Sequence, residues 1–454
     1  MAKIWKGNTR RKTYRDYNAT RIVALSFGGL ILLGTALLLL PVMSRSGRSA
    51  GLFCSLFTAT SATCVTGFTL RETLAQWTFG GQLVLLCLIQ LGGLGFMVVY
   101  SLLLTLFHRE LLLSQRMVLA SALGLKNVGG VVRLVRHALV LTAVCEAAGT
   151  LLLAVRFVPM FGFWTGLWRS LFHSVSAFCN AGFDLFSGGG SLMVFSDDPY
   201  VLGIHMALTV IGGLGFFVWE DLWQNRRWSR LSLYSRLALG ATLGFLLAGG
   251  FYFLLAEWGN PGTLGRLSPG MKALDALFQS ANLRTAGFVV FPQGNLTEPA
   301  KVMCLLFMLV GGCSGSTACG IKTVTAVVLA AALVSGLRGR EETVLFGRTV
   351  PREAVRRAMV LTLTLLGVIF LSSMAIAHIE GGSYLPILFE TVAAVGTVGM
   401  STGLTPDMTF ASHCILLALM YVGRVGILSF SLAFLVGRGN REKIRYPACE
   451  IMIG

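Results

Sequence analysis

A short pattern that recurs four times, at intervals of about 110 residues, limits the possible folds of this 454-residue chain more than any other feature. Each copy is a short apolar segment followed by a turn centred on a glycine. The central glycines are Gly67, Gly182, Gly287 and Gly399. A fixed period indicates repeated structural units, and one of about 110 residues is too long for a solenoid. Four equivalent turns can surround a single axis, which suits an ion pathway.

The composition indicates a polytopic membrane protein. Hydrophobic residues make up 55% of the chain, charged residues 13%, and the mean hydropathy is +0.74. This balance is far from that of a soluble globular domain. Most of the 37 Lys and Arg residues fall in five segments: 1–21, 106–137, 222–237, 335–358 and 437–446. The positive-inside rule therefore predicts a cell-membrane protein with both termini in the cytoplasm, and the basic residues do not indicate nucleic-acid binding.

Two lengths of apolar segment alternate along the sequence. A membrane-spanning helix needs about 20 residues, and eight segments are long enough: 22–42, 80–106, 134–156, 200–222, 236–256, 300–334, 357–378 and 411–436. Four shorter segments lie between the members of each pair: 51–64, 167–180, 271–283 and 385–396. Such a half-crossing helix is tolerated only where protein or a water-filled cavity surrounds it.

These lengths predict an all-α polytopic membrane protein with four pseudo-fourfold repeats around one central pore. Each repeat consists of an outer helix, a re-entrant pore helix, a filter turn and an inner helix. The predicted divisions are a cytoplasmic N-terminus (1–21), repeat 1 (22–106), repeat 2 (134–222), repeat 3 (236–334), repeat 4 (357–436) and a cytoplasmic tail (437–454).

The four turns predict a potassium-binding filter. Dehydrating this ion requires several carbonyl oxygens in place of its hydration shell, and glycine permits the backbone angles that direct successive carbonyls toward one axis. The short helices would direct their negative ends toward the ion, while Phe68, Phe183, Phe288 and Met400 would pack behind the turns. The predicted ion-binding residues are Val65, Thr66, Gly67, Asn180, Ala181, Gly182, Thr285, Ala286, Gly287, Thr397, Val398 and Gly399.

A second glycine motif recurs in the inner segments. Its first two copies, at Gly92-Gly93 and Gly212-Gly213, are typical of close helix packing. The third copy, 311–322, is rich enough in Gly, Ser and Thr to break its helix and act as a gate. The predicted gate residues are Gly311, Gly312, Ser314, Gly315, Ser316, Thr317, Gly320, Lys322 and Arg424. A phosphate-binding loop is excluded because Ile321 interrupts that motif and no strand precedes it.

Several polar residues accompany these motifs. An arginine inside a membrane helix costs about 2.5–3.5 kcal/mol, so Arg424 is predicted to contact the carbonyls of the 311–320 loop below the filter. The alternative is a purely structural pair with a carboxylate or a helix end. Asn180 either offers an oxygen to the ion or binds the loop backbone. Arg284 and Glu390 are expected to brace the filter. Glu146 is placed toward a helix end, as a packing or snorkelling group.

The four glycine turns, the broken third inner segment and the sequence Tyr421-Val422-Gly423-Arg424-Val425-Gly426 resemble the Trk/Ktr/HKT superfamily of potassium transporters over essentially the whole chain. The chain looks most like the Ktr membrane subunit. This resemblance implies potassium as the principal ion, because sodium-preferring plant members have serine at the position of Gly67. It also implies homodimers on a ring of cytosolic nucleotide-binding subunits. The basic loops are suited to an acidic partner or anionic membrane lipids.

Two other classes of function compete with potassium uptake. An enzyme is not expected, because the histidines are dispersed and no nucleophile, base or metal-ligand motif converges. A secondary transporter of another substrate, with broken helices at the membrane midplane, is the alternative interpretation. No organic cofactor is expected, and the sequence leaves open whether uptake is passive or is symport coupled to sodium.

Overall fold

The computed structural model of the protein describes residues 5–95, 131–187 and 191–426, with the backbone alone for 5–20 and 131. These residues are mostly helical, as the sequence predicts, and include a single short hairpin. Residues 96–106 of predicted repeat 1, most of the basic loop at 106–137, residues 427–436 of predicted repeat 4 and the 437–454 tail lie outside the described residues.

Four long apolar helices of the described residues correspond to the predicted outer helices. They are Trp5–Leu38, Val131–Phe161, Leu233–Glu257 and Arg352–Glu380. Each contains a window long and apolar enough to cross a membrane, which in the first begins at Arg21. Each has an exposed apolar face, on which Leu32, Leu151, Phe251 and Leu371 are all more than half accessible.

Four short helices follow the long ones along the described chain, and each leads directly into one of the glycine turns. They are Leu52–Thr63, Phe163–Phe178, Pro269–Asn282 and Tyr384–Gly396. Each contains a phenylalanine with 0% exposure, and these four residues are Phe57, Phe172, Phe278 and Phe389. Because protein encloses them, these helices need not face lipid, and their lengths fit half a bilayer.

The inner helices begin after the turns. They are Phe79–Leu94, Pro199–Leu214, Glu298–Leu309 and Phe410–Val425. In the last two units, an acid at the end of the long helix caps the start of the inner helix. Glu257 accepts a hydrogen bond from the Thr297 amide at 3.0 Å, and Glu380 accepts one from the Thr409 amide at 2.8 Å. Capping satisfies amides that a helix start leaves without partners.

The inner helices are interrupted at more places than the sequence predicts. The third is broken, as expected, between Leu309 and the helix Thr323–Leu337. However, the predicted continuous span over 200–222 is wrong, because the helix bends by 88° at Gly215 before continuing as Phe216–Gln224. Gly95 and Gly426 end the first and fourth inner helices with similar positive φ angles of 81° and 87°. A glycine without a Cβ adopts this conformation without strain.

Smaller elements complete the described chain. The helix Thr73–Gln76 precedes the first inner helix, and a two-stranded antiparallel hairpin, Val344–Leu345 with Arg348–Thr349, precedes the fourth long helix. Single 3-10 turns occupy Pro41–Met43, Met193–Phe195, Trp228–Arg230, Gln293–Asn295 and Thr405–Asp407.

Candidate ion pathway

The four glycine turns share an unusual backbone conformation. Val65, Asn180, Thr285 and Thr397 have φ angles between 51° and 75°, a region that non-glycine residues rarely adopt. The glycine two residues further along also has a positive φ, from 70° at Gly182 to 95° at Gly67. Strained backbone of this kind persists only where its surroundings enforce it, and it concentrates at functional sites.

The four glycines form one closed ring. A Cβ atom on Gly67 would lie 2.6 Å from the carbonyl oxygen of Ala181, and one on Gly182 would lie 2.9 Å from that of Ala286. A Cβ on Gly287 would collide with the carbonyl of Val398, and one on Gly399 with the carbonyl of Thr66. Each turn therefore packs against the carbonyl that precedes the next glycine, and the fourth returns to the first.

The short helices hold the turns in place through their own backbone. The amides of Thr66, Ala181 and Val398 each donate to a carbonyl five residues earlier, at 2.8 Å in all three cases. Two serines add side-chain contacts. Ser61 Oγ accepts from the Gly67 amide at 3.1 Å, and Ser176 Oγ donates to the Phe183 carbonyl at 2.7 Å. With these amides engaged, the turns present carbonyl oxygens without side chains between them, and oxygen is the ligand that alkali cations take in filters.

The apolar residues after the glycines form the outer layer of the ring. Phe68, Phe183, Phe288 and Met400 are each no more than 1% exposed. Inner-helix glycines pack from the other side: a Cβ on Gly92, Gly212 or Gly423 would collide with the carbonyl of Thr63, Phe178 or Val395, respectively, at the end of a short helix. The first two glycine pairs thus have the close-packing role that the sequence indicates.

The 311–322 segment forms a closed loop between the two halves of the third inner helix. Its ends are joined by the Gly311 amide and the Ile321 carbonyl at 2.9 Å, and Thr323 Oγ1 donates to the Gly311 carbonyl at 2.8 Å. The loop lies next to the end of the second short helix, because Thr317 Oγ1 donates to the carbonyl of Phe178 at 3.3 Å. Lys322 Nζ donates to the Ala318 carbonyl inside the loop at 2.6 Å.

The bend in the second inner helix forms a cradle for this loop. The Gly213 carbonyl accepts from the Cys313 amide at 2.9 Å, and the Phe216 amide donates to the Gly315 carbonyl at 3.0 Å. Sequence reasoning missed the bend because it took the Gly212-Gly213 copy as packing alone. Its signal is the third glycine of the motif, Gly215, which reappears as Gly95 and Gly426 and is replaced by Ser314 in the loop.

Arg424 joins the loop to the first inner helix. Its Nη1 donates to the Thr317 carbonyl at 2.6 Å and to Cys319 Sγ at 3.0 Å. Its Nη2 donates to the carbonyls of Gly92 and Gly93. The expected contact with the loop carbonyls is therefore present, and no carboxylate of the described residues pairs with this guanidinium. The bonds to Gly92 and Gly93, at the end of the first inner helix, also match the alternative of a structural pair with a helix end.

Arg284, Glu390 and Asn180 bind the protein around the turns. Arg284 Nη2 donates to Thr323 Oγ1 at 2.8 Å, at the base of the loop. Glu390 is buried and accepts hydrogen bonds from Ser401, Thr402 and Thr405, which follow the fourth turn. With its side-chain amide oriented so that the nitrogen faces the carbonyls of Ala177 and Thr209, Asn180 Nδ2 donates to both. Its side chain therefore binds the backbone.

Two polar groups near the second turn have roles that the sequence did not indicate. Glu146 lies in the middle of Val131–Phe161, not at a helix end, and accepts from Gln90 Nε2 at 3.2 Å beside Cys179. The placement at a helix end was wrong, because Glu146 lies near the middle of the predicted span 134–156 as well as of the observed helix. His173 accepts from the Leu185 amide at 3.1 Å and contacts His205 at 3.3 Å, which fixes the chain beyond the turn.

The comparisons with known proteins agree with this architecture. Residues 3–442 match the TrkH family model, described as cation transport protein. The chain is 37% identical to the potassium/sodium uptake protein NtpJ of Enterococcus hirae, over 98% of this chain and 99% of that protein. It is 38% identical to the Ktr system potassium uptake protein B of Bacillus subtilis, over 96% of this chain and 97% of the relative.

A solved structure supports the fold independently. The crystal structure of the potassium transporter TrkH from Vibrio parahaemolyticus aligns with a TM-score of 0.73, covering 91% of this chain and 84% of the other, at 18% identity. At that identity the likeness concerns the fold alone. Together with the family match over nearly the full length, it shows that this membrane protein belongs to the TrkH family of cation transport proteins.

Proposed function

We propose that this protein takes up potassium across the cell membrane through the ring formed by the four glycine turns. The observation that carries the proposal is the closed order of contacts in which each filter glycine faces the carbonyl of the next turn. Rings of backbone oxygens can replace the hydration shell of potassium. Both named relatives above carry potassium in their names, and the glycine at position 67 supports the same ion.

The proposed ion ligands are the backbone carbonyls of the three residues in each turn. They come from 65–67, 180–182, 285–287 and 397–399. The ends of the short helices supply partial negative charge beside them. Asn180 contributes its backbone carbonyl, while its side-chain nitrogen donates to the carbonyls of Ala177 and Thr209. In this proposal the four repeats of outer helix, pore helix, filter turn and inner helix surround one pore.

The 311–322 loop is the proposed gate, with Arg424 as its latch. Through Thr317 the loop contacts the C-terminal end of the second short helix. In this position it would obstruct an ion leaving the filter. Its residues bind mostly through backbone atoms, which water in a cavity could also satisfy, so retraction costs little. The positive charge of Arg424 and Lys322 adds an electrostatic barrier below the filter.

We further propose the assembly and orientation that the family resemblance implies. Both termini lie in the cytoplasm, and the protein forms homodimers that sit on a ring of nucleotide-binding regulatory subunits. Basic residues such as Arg226, Arg227, Arg352 and Arg356 supply a surface for those subunits or for anionic lipids. Sodium is either a coupled ion or a weaker competitor of potassium. One relative is named as an uptake protein for both ions, which is why sodium is included in this proposal.

Ion flux in liposomes tests the proposal. The wild-type protein should move potassium much faster than sodium, and adding a sodium gradient distinguishes symport from passive conduction. Gly67→Ser and Gly287→Ser should reduce the preference for potassium, whereas Gly403→Ser should not, because a Cβ at Gly403 meets no atom within 4 Å. Unchanged ion preference in both filter variants would refute the filter, and uptake of an organic solute without ion selectivity would favour the alternative transporter class.

A further inference from the structure

Among the acids of the described residues, Asp275 is unusual in being buried without a hydrogen-bond partner. It lies in the middle of the short helix Pro269–Asn282 and its side chain is fully buried, with 0% exposure. Neither carboxylate oxygen accepts a hydrogen bond from the protein. Buried polar atoms are nearly always satisfied, and a buried charge without a partner costs several kcal/mol or more. A carboxylate in this position therefore requires a compensating group.

The protein does not supply that group from the same helix. Lys272 lies one turn earlier, at the spacing that favours an ion pair. Its ammonium instead donates to the Trp258 carbonyl at 2.8 Å and lies 4.6 Å from the centre of the Trp258 ring. No ion pair of the described residues includes Asp275.

Burial is the main factor that disfavours a charge on Asp275, and the negative charge of a second acid, Asp197, adds to it. Asp197 is exposed, in the segment that joins the 3-10 turn Met193–Phe195 to the second inner helix. The next residue, Asp198, is engaged elsewhere, because it pairs with Arg156 at 2.7 Å and caps its own helix. Two carboxylates that share a region without a basic partner bind either a proton or a cation.

We propose that Asp275 and Asp197 form a binding site for an alkali cation outside the filter. Asp275 supplies buried oxygens and Asp197 opens the site to solvent. Hard cations take carboxylate and carbonyl oxygens. A monovalent ion fits better than calcium, because the described residues contain no group of three acidic or metal-binding side chains. The site lies twelve residues before Gly287 on the helix that leads to the third filter turn, so an occupant also stabilises that helix.

Thermal unfolding of the purified protein in detergent tests the site without measuring transport. Sodium chloride, potassium chloride and choline chloride are compared at one ionic strength and at pH 8. A ligand that binds only the folded state raises the unfolding temperature in proportion to its occupancy. The wild type should unfold at a higher temperature in sodium or potassium than in choline, and the two salts show which ion the site prefers.

The variants separate this site from the filter. Asp275→Asn should unfold at a higher temperature than the wild type in choline and respond less to the preferred ion, keeping only the stabilisation by potassium that the filter itself supplies. Asp197→Asn should keep the response but need a concentration about tenfold higher, the equivalent of about 1.4 kcal/mol. Asp407→Asn, an exposed acid in the corresponding region of the fourth unit, is the matched control and should behave like the wild type. Gly287→Ser should retain the response even where it alters filter selectivity.

Three results would overturn the site. The first is an equal cation response in the wild type and Asp275→Asn. The second is a wild type whose unfolding temperature is the same in all three salts. The third is a wild type that is stabilised only by lowering the pH, which would identify a proton as the occupant. Failure of the filter would instead appear as unaltered ion preference in the flux of Gly287→Ser, so the two proposals fail independently.

Discussion

The guanidinium of Arg424 donates a hydrogen bond to the carbonyl oxygen of Thr317 at 2.6 Å, across 107 positions of the sequence. This contact joins the last inner helix to the tip of the loop that interrupts the third. The same side chain also binds the end of the first inner helix through Gly92 and Gly93. One residue thus connects three of the four units directly below the glycine ring.

Arg424→Ala should therefore release the loop and increase ion flux. A hydrogen bond from a charged donor contributes about 1.5–3 kcal/mol, so the loss shifts the balance toward the retracted loop by about tenfold or more. Flux in liposomes measures the change. Arg424→Lys keeps the charge but cannot hold the Thr317 and Gly92 carbonyls together, so it should be intermediate. A flux in Arg424→Ala equal to that of the wild type would refute the latch.

The glycine ring predicts a sharp contrast between two positions in the fourth unit. Gly399→Ala should abolish potassium transport, because its Cβ would collide with the Thr66 carbonyl. Gly403→Ala should transport almost normally. Gly403 also has a positive φ, of 100°, but a Cβ there meets no atom within 4 Å.

The pair separates backbone strain from obstruction of the ring. Alanine at a positive φ costs about 1 kcal/mol at either position, so both variants should be similarly strained. Potassium flux is measured alongside the amount of folded protein in the membrane. Equal transport by the two variants would show that the collision does not matter, whereas equal loss of folded protein would assign the effect to strain.

Much of this architecture is predictable because period and length are properties of the sequence. The four short helices match the predicted segments within a few residues, and the break after Leu309 follows from the density of glycine and serine. The bend at Gly215 has a signal in the repeated third glycine of the motif, but the contacts that form the bend come from the loop that packs into it, which the local pattern does not show. Glu146 lies near the middle of both the predicted span and the observed helix, so the apolar pattern gave no basis for placing it at a helix end. The lack of a partner for Asp275 depends on tertiary packing, which no local pattern reveals.

Glu390→Gln should destabilise the protein more than Glu380→Gln. The buried carboxylate of Glu390 accepts from three hydroxyl groups and one amide in the segment after the fourth turn. The amide nitrogen of glutamine would direct its N–H donors toward groups that themselves donate to Glu390. At least one of these hydrogen bonds would be lost, at a cost of about 1–3 kcal/mol. Glu380 accepts from the amide and hydroxyl of Thr409, with Ser412 as a further partner, at a more accessible site. Thermal unfolding in detergent compares the two, and equal losses would contradict the bracing role of Glu390.

We propose that Asp184, which follows the second turn, lies at the outer mouth of the pathway and makes uptake respond to pH. Burial raises the pKa of this carboxyl to about 6, the amides of Phe186 and Ser191 oppose the shift, and the nearby Glu72 adds to it. A raised pKa means that the group takes up a proton as the external pH falls through 6. Its negative charge, which attracts cations to the mouth, is then lost. Potassium uptake at low concentration should consequently fall between pH 7 and pH 5, with less effect at saturating potassium. Asp184→Asn should show the low-pH behaviour at every pH, and an unchanged pH profile in this variant would exclude Asp184 as the titrating group.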